Sequence, residues 1–203
     1  MDYLFSKLGV KKKPAPFAIF ALTFALILEA GEFAFGIIEI GFTLEEFFIF
    51  FFDTIVVFFV IFSIWKKKMK LIEVSIVVLK TFEGTYYPLI ACRRIDFMVE
   101  TQMNDAFYLT NYILFGLASF MMFVALITFC IDKFTDTFTS WNWMKLFIIL
   151  ASAFMFVSTI FFAVEIIRGT IDWHDIFEPL SLHFMFFGVY ATCEFIEGKP
   201  AHE

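Results

Sequence analysis

The sequence lacks the short signatures that announce catalysis. It has no GxSxG nucleophile turn, no HExxH metal pair, no phosphate-cradling P-loop and no paired CxxC, so no enzyme activity is expected. Histidine is scarce: His174, His183 and His202 are the whole supply, and the last lies in the tail. That leaves too little for a bis-histidine haem, and no cofactor is expected. Cys92, Cys130 and Cys193 are odd in number and far apart. They fit no zinc spacing and read as buried free thiols. Basic residues form no stripe interleaved with surface aromatics, so nucleic acid is not an expected partner. The long apolar runs also lack the Gly/Pro breaks that often mark a transport site; Pro88 and Pro179 come closest, both near run ends.

What the chain does have is apolar length. It is 61% hydrophobic, with 34 phenylalanines and a mean hydropathy of +0.85, where a soluble domain has roughly 45–50% apolar residues. Runs at 17–40, 44–65, 106–131, 146–167 and 176–196 match the roughly 20 residues needed to cross about 30 Å of hydrocarbon. Runs this long and without alternation are helices, because lipid offers backbone groups no partner. The expected fold class is an all-α, polytopic helical bundle in one membrane domain, residues 1–203. The first run is too long for a signal-peptide core, and no small-residue cleavage site follows it, so it reads as a permanent helix.

A sixth run, 71–92, decides between six spans and five. Its length and apolar content favour crossing. Its flanks, KKKMK before and RR after, favour lying flat as an amphipathic helix. The reading leans to six. Residues 1–15 form a short basic lead, with an interfacial turn around Tyr3–Leu8. Gly41–Thr43 allows only a tight hairpin between the first two helices. Lysines 11–13 and 66–70 flank that hairpin, which puts the N-terminus on the cytoplasmic side. Residues 132–145 read as a polar loop ending in Trp141 and Trp143, a usual interfacial anchor. GFTLEEFF and GTIDWHDIF resemble each other, over too short a stretch to establish a repeat.

The second run separates its residues by face. Glu46, Ile49, Asp53, Val56, Val57, Val60 and Ile64 fall on one side and should meet protein. Phe47, Phe48, Phe51, Phe52, Phe58, Phe59 and Phe62 fall on the other and should meet lipid or neighbouring subunits. In the first run Ala18, Ala25, Glu29, Glu32, Gly36 and Glu39 share a stripe. Asn111, Ala118 and Ala125 repeat at heptad spacing in the run 106–131, as do Ser152 and Thr159 in the run 146–167. Small residues let helices approach closely in lipid.

Glu29 lies 12 residues before Gly41 and Asp53 12 residues after it, so a hairpin sets them at one depth. Lys80 would share that depth if 71–92 spans, with Glu32 a turn away and Glu83 beside it. His183, Tyr190 and Glu194 line one face of the last run and complete the candidate set. A charge at mid-bilayer costs about 2.5–3.5 kcal/mol on insertion scales, so such groups pair, protonate or face water. Two readings follow: an ion or proton pathway, or a neutralised cluster that locks helices together. In DWHDIFEPLSLH, His174 and Glu178 sit at i, i+4 and could offer two metal ligands. The plainer reading is an interfacial helix start with Trp173 as anchor, and no metal is expected.

Two functions are therefore open. The favoured one is a non-catalytic membrane subunit that packs against other membrane chains or copies of itself, with membrane lipids as its other partner. The alternative is a small proton or cation transporter.

Overall fold

The computed structural model describes residues 14–39, 41–42, 44–68, 70–78, 81, 92, 106–135 and 140–197. Among them there is no strand. Five helices are long and apolar enough to cross a membrane: α1 (Pro14–Glu39), α2 (Leu44–Trp65), α3 (Ala106–Thr135), α4 (Ser140–Arg168) and α5 (Phe177–Glu197). A short 3-10 turn, Trp173–Ile176, leads into α5. A further helical stretch covers 70–78 and buries Ile72 and Ile76 in the core. The protein is a polytopic α-helical membrane bundle.

Local chemistry sets the helix ends. Pro14 opens α1, and Pro179 falls in the first turn of α5. At these places a proline's missing N–H has no intrahelical acceptor to lose. α1 stops at Gly41, which takes φ +92° while its N–H reaches the Ile37 carbonyl at 3.1 Å. α4 stops the same way at Gly169, φ +72°. There the Thr170 N–H reaches back to the Glu165 carbonyl at 3.1 Å and closes the last turn. After α2 the reversal falls on a lysine instead. Lys67 has φ +54°, a left-handed conformation that costs an L-residue about 1–2 kcal/mol.

The helices pack in the spatial order α2, α1, α5, α4, α3. Every neighbouring pair is antiparallel. Phe33 stacks on Phe50 across the Gly41 hairpin. Phe17, Phe24 and Phe35 of α1 meet Phe187, Phe184 and His174 in falling order. Lys145 and Ser152 of α4 meet Glu194 and His183 of α5. Phe107 and Asn111 of α3 meet Phe162 and Ser158 of α4. The ends of α2 and α5 and the start of α4 thus share one end of the bundle. Gly41, Gly169 and the start of α3 share the other. The chain leaves α2 at one end and enters α3 at the opposite end, an arrangement consistent with six spans. Most of the 71–92 run, with Lys80 and Glu83, lies outside the described residues, as do 1–13 and the tail 198–203.

The faces of α2 separate much as their spacing suggests. Asp53 is 2% exposed and Val57 0%, while Phe51 and Phe58 are 52% and 60% exposed. Phe62 departs from the pattern. It is half-buried, because Trp65 and Lys66 fold over its ring at the helix end. On α1 the buried stripe is Ala18, Ala21, Leu22, Ala25 and Leu28; Glu29, Glu32 and Gly36 lie at its half-buried margin. Two further expectations need correction. The polar loop expected over 132–145 is mostly helix, since α3 continues to Thr135 and α4 begins at Ser140. Polar side chains alone do not end a helix whose backbone would lose its partners. And Cys92 is exposed, whereas Cys193 is buried.

The tightest approach joins α1 to α5. A Cβ built on Gly188 would lie 2.5 Å from Leu22 Cγ and 3.2 Å from the Leu22 backbone nitrogen. Gly188→Ala should therefore lower stability by about 1–3 kcal/mol, read by reversible unfolding in mixed micelles. Adding Leu22→Ala should give a double variant less destabilised than the sum of the two singles; simple additivity would show that the helices do not meet here. Side assignment is also checkable. Single cysteines at Phe42 and Asp172 should react with an impermeant thiol reagent from one face of the membrane, and cysteines at Lys67 and Trp143 from the other. All four reacting from one face would refute this topology.

Candidate functional site

Serine and threonine side chains inside the bundle mostly bond within their own helix. Ser63, Ser75, Ser119 and Thr192 each donate to the carbonyl four residues back, which satisfies the hydroxyl without a partner helix. Among the described residues, three polar contacts tie neighbouring helices instead.

The first joins α3 to α4. Ser158 donates to Asn111 Oδ1 at 2.7 Å, with both residues buried. The second joins α4 to α5 near mid-span. His183 Nδ1 lies 3.0 Å from the Ser152 carbonyl and 2.9 Å from its Oγ. A carbonyl can only accept, so Nδ1 carries a proton and donates to it. The third lies three turns further toward the end of α5, where Lys145 Nζ meets Glu194 Oε1 at 2.6 Å, with side chains 14% and 19% exposed. His183, Tyr190 and Glu194 share one face because they fall at i, i+7 and i+11, and that face looks onto α4.

Between the second and third contacts the two helices leave a groove of about 210 Å³. Ile148, Ser152, Phe156, His183, Phe187 and Tyr190 are among its walls. Phe156 and Phe187 rings lie 5.4 and 5.1 Å from the imidazole. The walls are apolar apart from the His183, Ser152 and Tyr190 side chains that share them.

The remaining candidates lie elsewhere. Asp53 is buried at the middle of α2, and Glu29 and Glu32 are half-buried on α1. Lys80 and Glu83, the proposed basic partner and its neighbour, lie outside the described residues. Of the candidates described, His183 and Glu194 bond to α4. His174 lies in the 3-10 turn 173–176 and Glu178 in the first turn of α5. The His174 ring stacks on Phe35 at 4.7 Å, 12° from parallel, and its Nε2 is 4.0 Å from Asp175 Oδ1. The Asp172 N–H donates to Asp175 Oδ2 at 3.1 Å and closes the turn. Among the described residues no group of three or more His, Cys, Asp or Glu is placed to hold a metal.

Sequence reasoning missed Lys145, Ser158 and Gly188. Lys145 was assigned to a loop, yet it sits inside α4 with an acid opposite. An available signal was its position seven residues before Ser152, on the same heptad stripe. No protein-family profile matches this chain, no curated protein is similar to it, and no solved structure shares its fold at a significant level.

Removing one member of the Lys145–Glu194 pair leaves a largely buried charge. Lys145→Met should destabilise by about 3 kcal/mol, the low end of what breaking a buried pair costs. The exchanged pair Lys145→Glu with Glu194→Lys should recover much of that loss. Equal stability of Lys145→Met and wild type in unfolding titrations would mean that water neutralises both groups.

Proposed function

We propose that this chain is a non-catalytic subunit of a membrane assembly, packing against other membrane chains or against copies of itself. One observation carries the reading: the cross-helix polar contacts on α3, α4 and α5 tie adjacent helices into a fixed array. Asn111–Ser158, Ser152–His183 and Lys145–Glu194 each engage both partners. Groups engaged with one another fix helix positions and are poorly placed to pass an ion along. The outward phenylalanines of α2 add an apolar surface that another chain or lipid can cover equally well. The lysine end, with Lys66, Lys67, Lys68 and Lys70, is proposed to face the cytoplasm, and the end with Asp172 and Asp175 the opposite side.

The second reading, a proton or cation transporter, rests on Asp53. A carboxylic acid 2% exposed at mid-span is by default a functional candidate in a membrane. Replacing Asp53 by Asn separates the two. Under the subunit reading, wild-type and Asp53→Asn protein reconstituted in liposomes both leave an imposed pH or cation gradient intact, and both migrate as the same oligomer in mild detergent. Gradient dissipation by the wild type that disappears in Asp53→Asn would replace the subunit reading with the transport one.

A further inference from the structure

Four of the five residues from 66 to 70 are lysines, and all four are exposed where α2 leaves the membrane-spanning part of the bundle. Their backbone is well determined by hydrogen bonds. The Lys66 N–H reaches the Phe62 carbonyl at 2.9 Å, Lys67 reaches Ile64 at 3.1 Å, and Lys68 reaches Ser63 at 3.0 Å. The Lys68 carbonyl then accepts from Leu71 and Ile72, both at 3.1 Å, and opens the helical stretch 70–78. The ammonium groups are therefore carried by a closed turn between two helices, both of which bury side chains in the core.

Three features of this turn bear on its partner. First, none of the four lysines makes an ion pair among the described residues, so within that set their positive charge is concentrated and uncompensated. Second, its depth is fixed by aromatic anchoring. Trp65 is 68% exposed, as interfacial tryptophans are, and Lys66 Nζ sits 4.4 Å from the centre of its ring. Third, Lys67 occupies a left-handed conformation that glycine would take without strain. A charged residue standing where glycine would suit the backbone better points to a use for its charge. The positive end of the 70–78 helix adds to the same field.

We propose that this turn docks the headgroups of anionic phospholipids in the surrounding leaflet. Charge complementarity and depth select that occupant. The ammoniums sit at the layer where phosphates are concentrated, and juxtamembrane lysine clusters bind acidic headgroups by this attraction. The lipid's phosphate accepts hydrogen bonds from the ammoniums, while its acyl chains lie along the exposed phenylalanines of α2. The contact is electrostatic and weakens as salt shortens the screening length.

The test uses the full chain reconstituted in phosphatidylcholine bilayers with a trace of spin-labelled phosphatidylglycerol or spin-labelled phosphatidylcholine. The protein should immobilise the anionic lipid in preference to the neutral one at low salt, by at most about fivefold per lysine engaged. The preference should shrink as salt rises. Replacing all four lysines by Gln should abolish it, and replacing all four by Arg should preserve it. Should the Gln variant fail to insert, Lys67→Gly decides: it relaxes the turn, removes one charge, and should lower the preference measurably. No preference in the wild type would overturn the proposal. So would a preference unchanged by the Gln variant, or by Lys67→Gly, since the lysines would then set only the orientation of the chain.

Discussion

The placement of α5 between α1 and α4 is the constraint on which the rest of this bundle depends. It is the most buried of the five spans, and its two flanks are built on different principles. Toward α1 it presents Gly188, which admits the Leu22 side chain almost to its backbone, while Gly31 on α1 accepts the Phe177 ring. Toward α4 it presents His183, Tyr190 and Glu194, and two of these bond across the interface. In lipid the hydrophobic effect does not drive helices together, because the tails are as apolar as leucine. Close backbone approach and polar contacts have to do it. α5 uses the first on one flank and the second on the other, so it can hold two neighbours without their competing for the same face.

The same reasoning explains why α2 looks as it does. A soluble helix hides its aromatic face; here Phe48, Phe51, Phe58 and Phe59 are the exposed ones and Val56, Val57 and Val60 the buried ones. Lipid solvates phenylalanine, so aromatic bulk on the outside carries no penalty. Slim β-branched side chains on the inside allow close packing around Asp53. The helical period of 3.6 residues turns this preference into two clean faces.

That period is why so much of the fold was legible. The limits of α2, Leu44 and Trp65, are the limits of its apolar run, and the Gly41 hairpin follows from the lack of room between two runs. Where the apolar content changed gradually, boundaries were not legible. α3 and α4 extend through polar residues toward each other, to Thr135 and from Ser140, because polar side chains alone do not end intrahelical bonding. The site was legible in part. His183, Tyr190 and Glu194 could be put on one face by spacing alone. Their partners could not, since nothing local to Ser152 or Lys145 says which helix lies opposite.

The two kinds of polar residue in this bundle therefore ask for different explanations. A residue such as Asn111 or His183 sits at an interface and is matched in kind by its neighbour, amide to hydroxyl and imidazole to carbonyl. Contacts of this kind hold two helices at one register. Asp53 sits on a helix whose other fully inward residues are Val56, Val57, Val60, Ser63 and Ile64, and the serine bonds within its own helix. Packing therefore accounts for the valines but not for the acid. The lysines after α2 pose the same contrast at the surface, since a glycine would serve the turn better than Lys67 does. In both places the residue is poorly suited to the local backbone or its apolar surroundings. Such local conflicts are where a chain otherwise consistent at every level is expected to carry function.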